Sequence, residues 1–300
     1  MGPEARVGTV FDEWRLETLL GAGSVAATYA ARRFEARAAI RILHEHLAVS
    51  EPIRERFLAL ADVTREIDHP GLARIVAADT TRDGEVFLQM EWLDGETLDA
   101  AWRGHELHRL SVGAASPAPT QPTMNIDRAL PIFVRVLDCL SACHEHGVLH
   151  RGLKPSNVFL TEGDTIKLLD FDFRAAEVID ALPDDAPTGT DLGTPTYMAP
   201  EHAMGLVDQL DGRADTFSIG AMMHALITGH PINDGMTAEE SLVIAATTPV
   251  PTVSILAPRL PGVVVAIIDK ALRWDRRERY ASAREMHDAI VAAIRDTRVS

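Results

Sequence analysis

The first ninety residues set short apolar runs between turn-forming residues, a pattern that predicts strands. Trp14–Leu20 is rich in apolar residues and leads into Gly21-Ala22-Gly23-Ser24, and Val25–Ala31 and Ala38–Leu43 follow as two further strands. Pro52 then opens a helical stretch, at the first-turn position where its missing N–H costs nothing. Ile53, Phe57, Leu60 and Ile67 recur there at roughly helical spacing until His69-Pro70-Gly71 ends the run. Ala73–Ala78 and Glu85–Trp92, separated by a turn at Asp83-Gly84, predict two more strands.

Beyond Asp94-Gly95 the period changes. Ser111–Asn125 is uncharged, aperiodic and rich in Ala, Ser, Pro and Thr, which predicts a flexible insert over 111–125. Ile126–His146 places Leu130, Phe133, Val134, Leu137 and Leu140 on one helical face. Val158–Leu160 and Ile166–Leu168 read as short strands around a turn at Glu162-Gly163-Asp164, and Ala175–Leu192 reads as a long polar loop. Asp215–Thr228, Ala238–Ala246, Val263–Leu272 and Ser282–Arg295 carry helical patterns, and no repeat of 20–50 residues is present.

Composition acts mainly by exclusion. A length of 300 residues suits one large domain or two lobes sharing a cleft. With 46% hydrophobic and 24% charged residues, the chain has the balance of a soluble globular protein. A net charge of −15 argues against a nucleic-acid partner, which needs a basic face. Cys139 and Cys143 are the only cysteines, so no disulfide framework is expected. No signal peptide and no membrane span are expected within the chain, which makes the cytoplasm the expected location.

The motifs are more specific. His150-Arg151-Gly152-Leu153-Lys154-Pro155-Ser156-Asn157 matches the protein-kinase catalytic loop H-R-D-L-K-P-x-N at seven of eight positions. Asp170-Phe171-Asp172 follows where kinases carry D-F-G, and then comes Gly193-Thr194-Pro195-Thr196-Tyr197-Met198-Ala199-Pro200-Glu201, similar to the end of an activation segment. From about Trp14 to about Ile294 the chain resembles a bacterial serine/threonine protein kinase domain. The resemblance implies an α+β, two-lobed fold with a β-rich N-lobe over 14–93, a helical C-lobe over 94–300, and a tail over 1–13. Nucleotide would sit between the lobes. Met90 would be the gatekeeper, and Glu91 and Leu93 would offer backbone groups to adenine.

Set against the family pattern, several functional parts are altered. The glycine-rich loop keeps Gly21 and Gly23 but has Ala26 for its third glycine. The strand V-A-I-K reads Ala38-Ala39-Ile40-Arg41, so Ala39 and Arg41 stand at the nucleotide with arginine for lysine, a planar fork for a point charge. The first 153 residues contain no lysine that could substitute. Counting back from His69-Pro70 puts Leu60 where the helix should supply a glutamate, and Glu55 and Glu66 fall off that helix face. Most consequential is Gly152. It replaces the aspartate that accepts the substrate hydroxyl proton, an assistance worth roughly 10²–10⁴ in rate. Asp172 replaces the D-F-G glycine.

Other parts persist. The resemblance implies Asn157 and Asp170 as Mg²⁺ ligands, Lys154 at the transferring phosphate, and His150 and Phe171 as packing residues. Glu201 with Arg279, and Asp215, match the pairs that hold the C-lobe together. Thr188 and Thr190 lie where kinases carry activating phosphates, with Arg151 placed to grip one. Cys139 and Cys143 lie near His144 and His146, but zinc is not expected. The expected function is a kinase-fold signalling module, catalytically impaired, binding ATP and Mg²⁺ and acting through protein partners. The alternatives are a weakly active or atypical ATP-dependent serine/threonine kinase or transferase, and a nucleotide-free scaffold.

Overall fold

The structure, a computed structural model, describes residues 2–23, 25–111, 123–163, 165–171 and 195–299, without the side chains of Leu60, 105–111 and 297–299. The described chain forms two compact units. The first takes in the residues up to Asp68 together with Leu72–Asp94. The second takes in His69–Gly71, Gly95 to Phe171, and the described chain from Pro195 onward.

The first unit is a six-stranded antiparallel sheet built from β1 (Val10–Phe11), β2 (Trp14–Ala22), β3 (Ala26–Arg33), β4 (Ala36–Leu43), β5 (Ile75–Thr80) and β6 (Val86–Glu91), in the order β1-β2-β3-β4-β6-β5. Alternation along β4 decides its two faces. Ala38, Ile40 and Ile42 pack with Trp14, Leu16 and Tyr29 on one side. On the other side, helix α2 (Glu51–Glu66) buries Ile53, Phe57 and Ala61 against Leu43, Val86 and Leu88, and a short α1 (Glu45–Ala48) precedes it.

The first thirteen residues are more than a tail. Val10 pairs with Arg15 and Phe11 with Trp14, which adds an edge strand. Phe11 meets Phe87 edge to face at 5.3 Å. A 3-10 turn over Pro3–Arg6 accepts the Tyr29 hydroxyl at the Pro3 carbonyl (2.9 Å) and sets Arg6 in an ion pair with Glu85.

The second unit holds a three-stranded sheet of β7 (Gly95–Thr97), β8 (Val158–Thr161) and β9 (Ile166–Leu168), in that order. Its helices are α3 (Leu98–Ser111), α4 (Ile126–Glu145), α5 (Pro200–Ala203), α6 (Gly212–Thr228), α7 (Ala238–Thr247), α8 (Gly262–Ala271) and α9 (Ala283–Val299). Asn125 caps α4 by accepting the Asp127 N–H at 2.9 Å, and Asp211 caps α6 by accepting the Arg213 N–H at 2.9 Å. Nearly every residue of α6 is buried, the mark of a helix at the centre of a core. Its Gly220 lies so close to α8 that a Cβ there would come within 2.7 Å of the Ala271 Cβ.

The apolar pattern anticipated neither β7 nor α3. Of the expected 111–125 insert, residues 112–122 lie outside the described residues. Among the described residues, no helix is long and apolar enough to cross a membrane.

Candidate active site

The loop carrying the H-R-x-L-K-P-x-N motif is fixed from below by one carboxylate. Asp215, in the first turn of α6, is 1% exposed and accepts the His150 N–H at 2.9 Å and the Arg151 N–H at 2.8 Å. It also bonds His144 Nε2 at 2.7 Å. Burial pushes this carboxyl up, but the His144 bond and charge, with the His150 charge and amide, outweigh it and hold Asp215 below the usual carboxylate range. Arg151 has φ +59° and Asp170 has φ +54°. Residues in the left-handed region cost of order 1–3 kcal/mol each and persist only where their surroundings determine them. For Arg151 the determinants are the two Asp215 bonds and the tight Gly152 N–H to His150 carbonyl bond of 2.7 Å.

Around that kink the motif residues converge. His150 is fully buried and stacks on Phe171 with ring centroids 4.5 Å apart. Asn157 is buried and donates Nδ2–H to the Gly152 carbonyl at 2.8 Å, while its own carbonyl accepts the Leu169 N–H at 2.9 Å. Asp170 therefore follows directly on a main-chain bond to Asn157. With Nδ2 engaged by Gly152, the oxygen is the Asn157 carboxamide atom that could meet a cation. One carboxamide oxygen and one carboxylate oxygen fit Mg²⁺, a hard ion whose remaining positions are ordinarily filled by phosphates and water. Gly152 itself has no side chain to place, and its φ is not in the left-handed region.

Elsewhere in this unit, Arg279 is buried in a bidentate pair with Glu201, at 2.7 and 2.8 Å. It also donates to the carbonyls of Arg273 (2.7 Å) and Trp274 (3.1 Å), and its guanidinium lies over the Phe217 ring at 4.7 Å. Cys139 and Cys143 are both fully buried. The Cys143 contact and burial together push the Cys139 thiol far up, which leaves it inert. Among the described residues no group of three or more His, Cys, Asp and Glu side chains could hold a metal.

The nucleotide-site candidates of the first unit lie on β4, at the β2–β3 turn and at the end of β6. Ala39 and Arg41 are half-buried on the α2 side of β4. Arg41 lies between Thr28 on β3 and Leu88 on β6, and Ala39 between Ala30 and Met90. Among the described residues, the buried face of α2 is Ile53, Phe57, Ala61 and Thr64, and none is acidic. Glu55 and Glu66 are exposed.

Gly21 ends on the β2–β3 hairpin, where a Cβ would meet nothing within 4 Å; at Gly23 it would meet only the Ala26 carbonyl, at 3.9 Å. The protein's own packing does not demand these glycines. Glu91 N–H donates to the Arg74 carbonyl (2.9 Å), and the Glu91 carboxylate accepts Arg74 N–H (2.9 Å). The segment holding Leu93 is braced by the Arg37 guanidinium over the Trp92 ring at 3.8 Å and by Trp92 Nε1–H on Asp94 at 2.8 Å. Ser24, Asp172, Thr188 and Thr190 lie outside the described residues, as does the Leu60 side chain.

Two contributors were not legible beforehand. His144 reaches Asp215 because Gly212 leaves room: a Cβ on Gly212 would come within 2.6 Å of the His144 ring. Gly71, of the helix-ending His69-Pro70-Gly71, accepts the Leu168 N–H at 2.7 Å, so it also anchors β9.

Known proteins share this pattern. The family model described as "Protein kinase domain" matches residues 14–290. The chain is 33% identical to serine/threonine-protein kinase Pkn1 of Myxococcus xanthus over 96% of its own length and 39% of that protein. It is 32% identical to serine/threonine-protein kinase PknJ of Mycobacterium tuberculosis, over 98% of its length and 47% of that protein. The chain thus spans less than half the length of these curated relatives. A crystal structure of the PknI kinase domain of Mycobacterium tuberculosis matches its fold with a TM-score of 0.68 at 24% identity, covering 95% of this chain and 98% of that one. With the sheet-rich first unit, the helical second unit and the ordered motifs, these matches show that the chain belongs to the protein kinase domain family.

Proposed function

We propose that this chain is a kinase-fold signalling module that holds Mg²⁺ and ATP but is impaired in phosphoryl transfer, and that it acts in the cytoplasm through protein partners. The observation that carries this reading is Gly152. The loop around it keeps the bonds of Asp215, the left-handed Arg151 and the Asn157 clamp. At the position where a kinase needs a proton acceptor, however, there is no carboxylate, and none stands between His150 and Asn157. Arg41 and the non-acidic face of α2 support the same reading, because the ion pair that positions the nucleotide phosphates in an active kinase lacks both of its usual members.

Asn157 and Asp170 would hold the cation, with Lys154 beside the phosphate. When bound, Mg²⁺ would neutralise phosphate charge. Gly21 and Gly23 would let the backbone approach phosphate closely, and Ala39 and the Glu91–Leu93 segment would flank the base. These retained groups, with relatives named as serine/threonine-protein kinases, favour one second reading: a slow or atypical transferase.

Two measurements separate these readings. The unfolding midpoint is followed with ATP, with and without Mg²⁺, for the natural protein and Asp170→Asn. Transfer of labelled phosphate to a serine/threonine peptide library is followed for the natural protein and Gly152→Asp. A Mg²⁺-dependent rise that Asp170→Asn abolishes is expected, together with transfer about 100-fold faster in Gly152→Asp. Measurable transfer that Gly152→Asp leaves unaltered would establish the transferase instead. No rise at millimolar ATP would leave a nucleotide-free scaffold.

A further inference from the structure

The corner after β4 touches the glycine-rich turn twice, through a single residue. Gly23 N–H donates to the Ala26 carbonyl at 3.0 Å, which ties the end of β2 to the start of β3. His44 follows the last residue of β4. Its backbone N–H donates to the Val25 carbonyl at 2.9 Å, and its ring Nε2 bonds the Gly23 carbonyl at 2.6 Å. A carbonyl can only accept, so the proton sits on Nε2.

His44 also stands at the N-terminus of α1, where a short polar side chain would normally cap. The imidazole makes no capping bond there and turns to the glycine loop instead. Its carbonyl receives the N–H groups of Leu47 and Ala48 at 3.0 and 2.9 Å, which fixes the backbone from which the ring projects. His46 stacks against the ring, with centroids 5.7 Å apart and planes 15° from parallel. The ring is thus oriented from both sides before it meets Gly23.

We infer that His44 is a positioning residue for nucleotide binding: a staple that holds the glycine-rich turn in its phosphate-accepting shape. Val25 and Ala26 anchor the far side of the turn in the α2-side core, but room for a Cβ at both Gly21 and Gly23 means that close packing does not hold its near side. A loop of glycines loses more freedom on ordering than any other. The two His44 bonds offset that cost beforehand, so that less binding energy is spent on ordering the loop. The same residue directly follows the strand that carries Arg41, so the staple ties the glycine turn to the end of that strand. The inference rests on the nucleotide-binding reading above.

The test uses the full chain with His44→Ala and His44→Gln, whose side-chain amide keeps a donor for the same carbonyl. Amide hydrogen exchange over residues 22–27 is measured without nucleotide, with residues 86–91 as an internal control, and ATP affinity is measured in parallel. Expected for His44→Ala is roughly tenfold faster exchange at 22–27 with 86–91 unchanged, and ATP affinity several-fold weaker. His44→Gln should recover most of both. Unchanged exchange at 22–27 in His44→Ala, or loosening in His44→Gln as large as in His44→Ala, would overturn the staple. Should the natural protein bind no ATP while His44→Ala still loosens the turn, the nucleotide reading fails and the staple stands as a structural bond alone.

Discussion

Of the five described residues with side chains in the left-handed backbone region, Arg151, Asp170 and Phe34 are there for different reasons. Arg151 and Asp170 sit in the catalytic-loop region, where Asp215 and the Asn157–Leu169 bond determine the chain path. Phe34 has no such reason. It has φ +53°, lies 92% exposed, and with Glu35 forms the two-residue turn between β3 and β4. A positive φ at the first position of such a turn favours glycine. Phe34→Gly is therefore expected to stabilise the protein by about 1 kcal/mol, read as a higher urea midpoint with an unchanged slope. Gly95 is the converse: at φ +140° a Cβ would run into the Leu160 carbonyl, so glycine is required there. The identity of these residues was plain in the sequence, but their backbone angles were not. Gly95 appeared only as a change of pattern, and nothing near Phe34 announced a strained turn.

At the scale of elements, the edge strand β1 shows how a short segment earns its place. Two residues pair with β2, yet Phe11 is 5% exposed against Phe87, whereas Val10 beside it is 70% exposed. Phe11→Ala should cost about 3–5 kcal/mol, and Val10→Ala within about 0.5 kcal/mol. Urea unfolding of the two variants checks the difference, and equal losses would mean that the strand is not held by that ring. Strongly periodic helices were legible: α4, α7 and α8 fall within a residue of the pattern. α3 was not. Its buried residues include Leu98, Ala101 and Trp102, an apolar stripe too sparse to show a period, and Gly104 lowers the helix preference further. β1 was missed because two residues cannot display alternation.

For the molecule as a whole, acid stability depends on buried and paired carboxyls. Asp215 is held below its ordinary value despite burial. Asp138 is likewise held low: burial raises it, but hydrogen bonds from His69 and Arg284 outweigh that. A carboxyl with a lowered folded value contributes stability that is complete above its unfolded value, about 3.9, and lost as pH falls through the folded value. Burial likewise holds the His224 imidazole below its ordinary value. The unfolding midpoint should therefore begin to decline as pH falls below about 6.5 and fall more steeply below about 4, where the carboxyls titrate. Asp138→Asn and Asp215→Asn should each make that fall shallower, and a slope unchanged in both would refute this assignment.

What the sequence by itself determined was residue chemistry and the order of the main elements. A glycine at position 152 removes a carboxylate whatever surrounds it, and the period of apolar residues declares which local segment buries a face. Only the tertiary structure decided the partners. The bonds of Asp215 span 65 and 64 positions to His150 and Arg151, and the Arg279–Glu201 pair spans 78. The staple from His44 to Gly23 is likewise invisible along the chain. Periodicity records burial among near neighbours, whereas a hydrogen bond between distant residues depends on the path of everything folded between them.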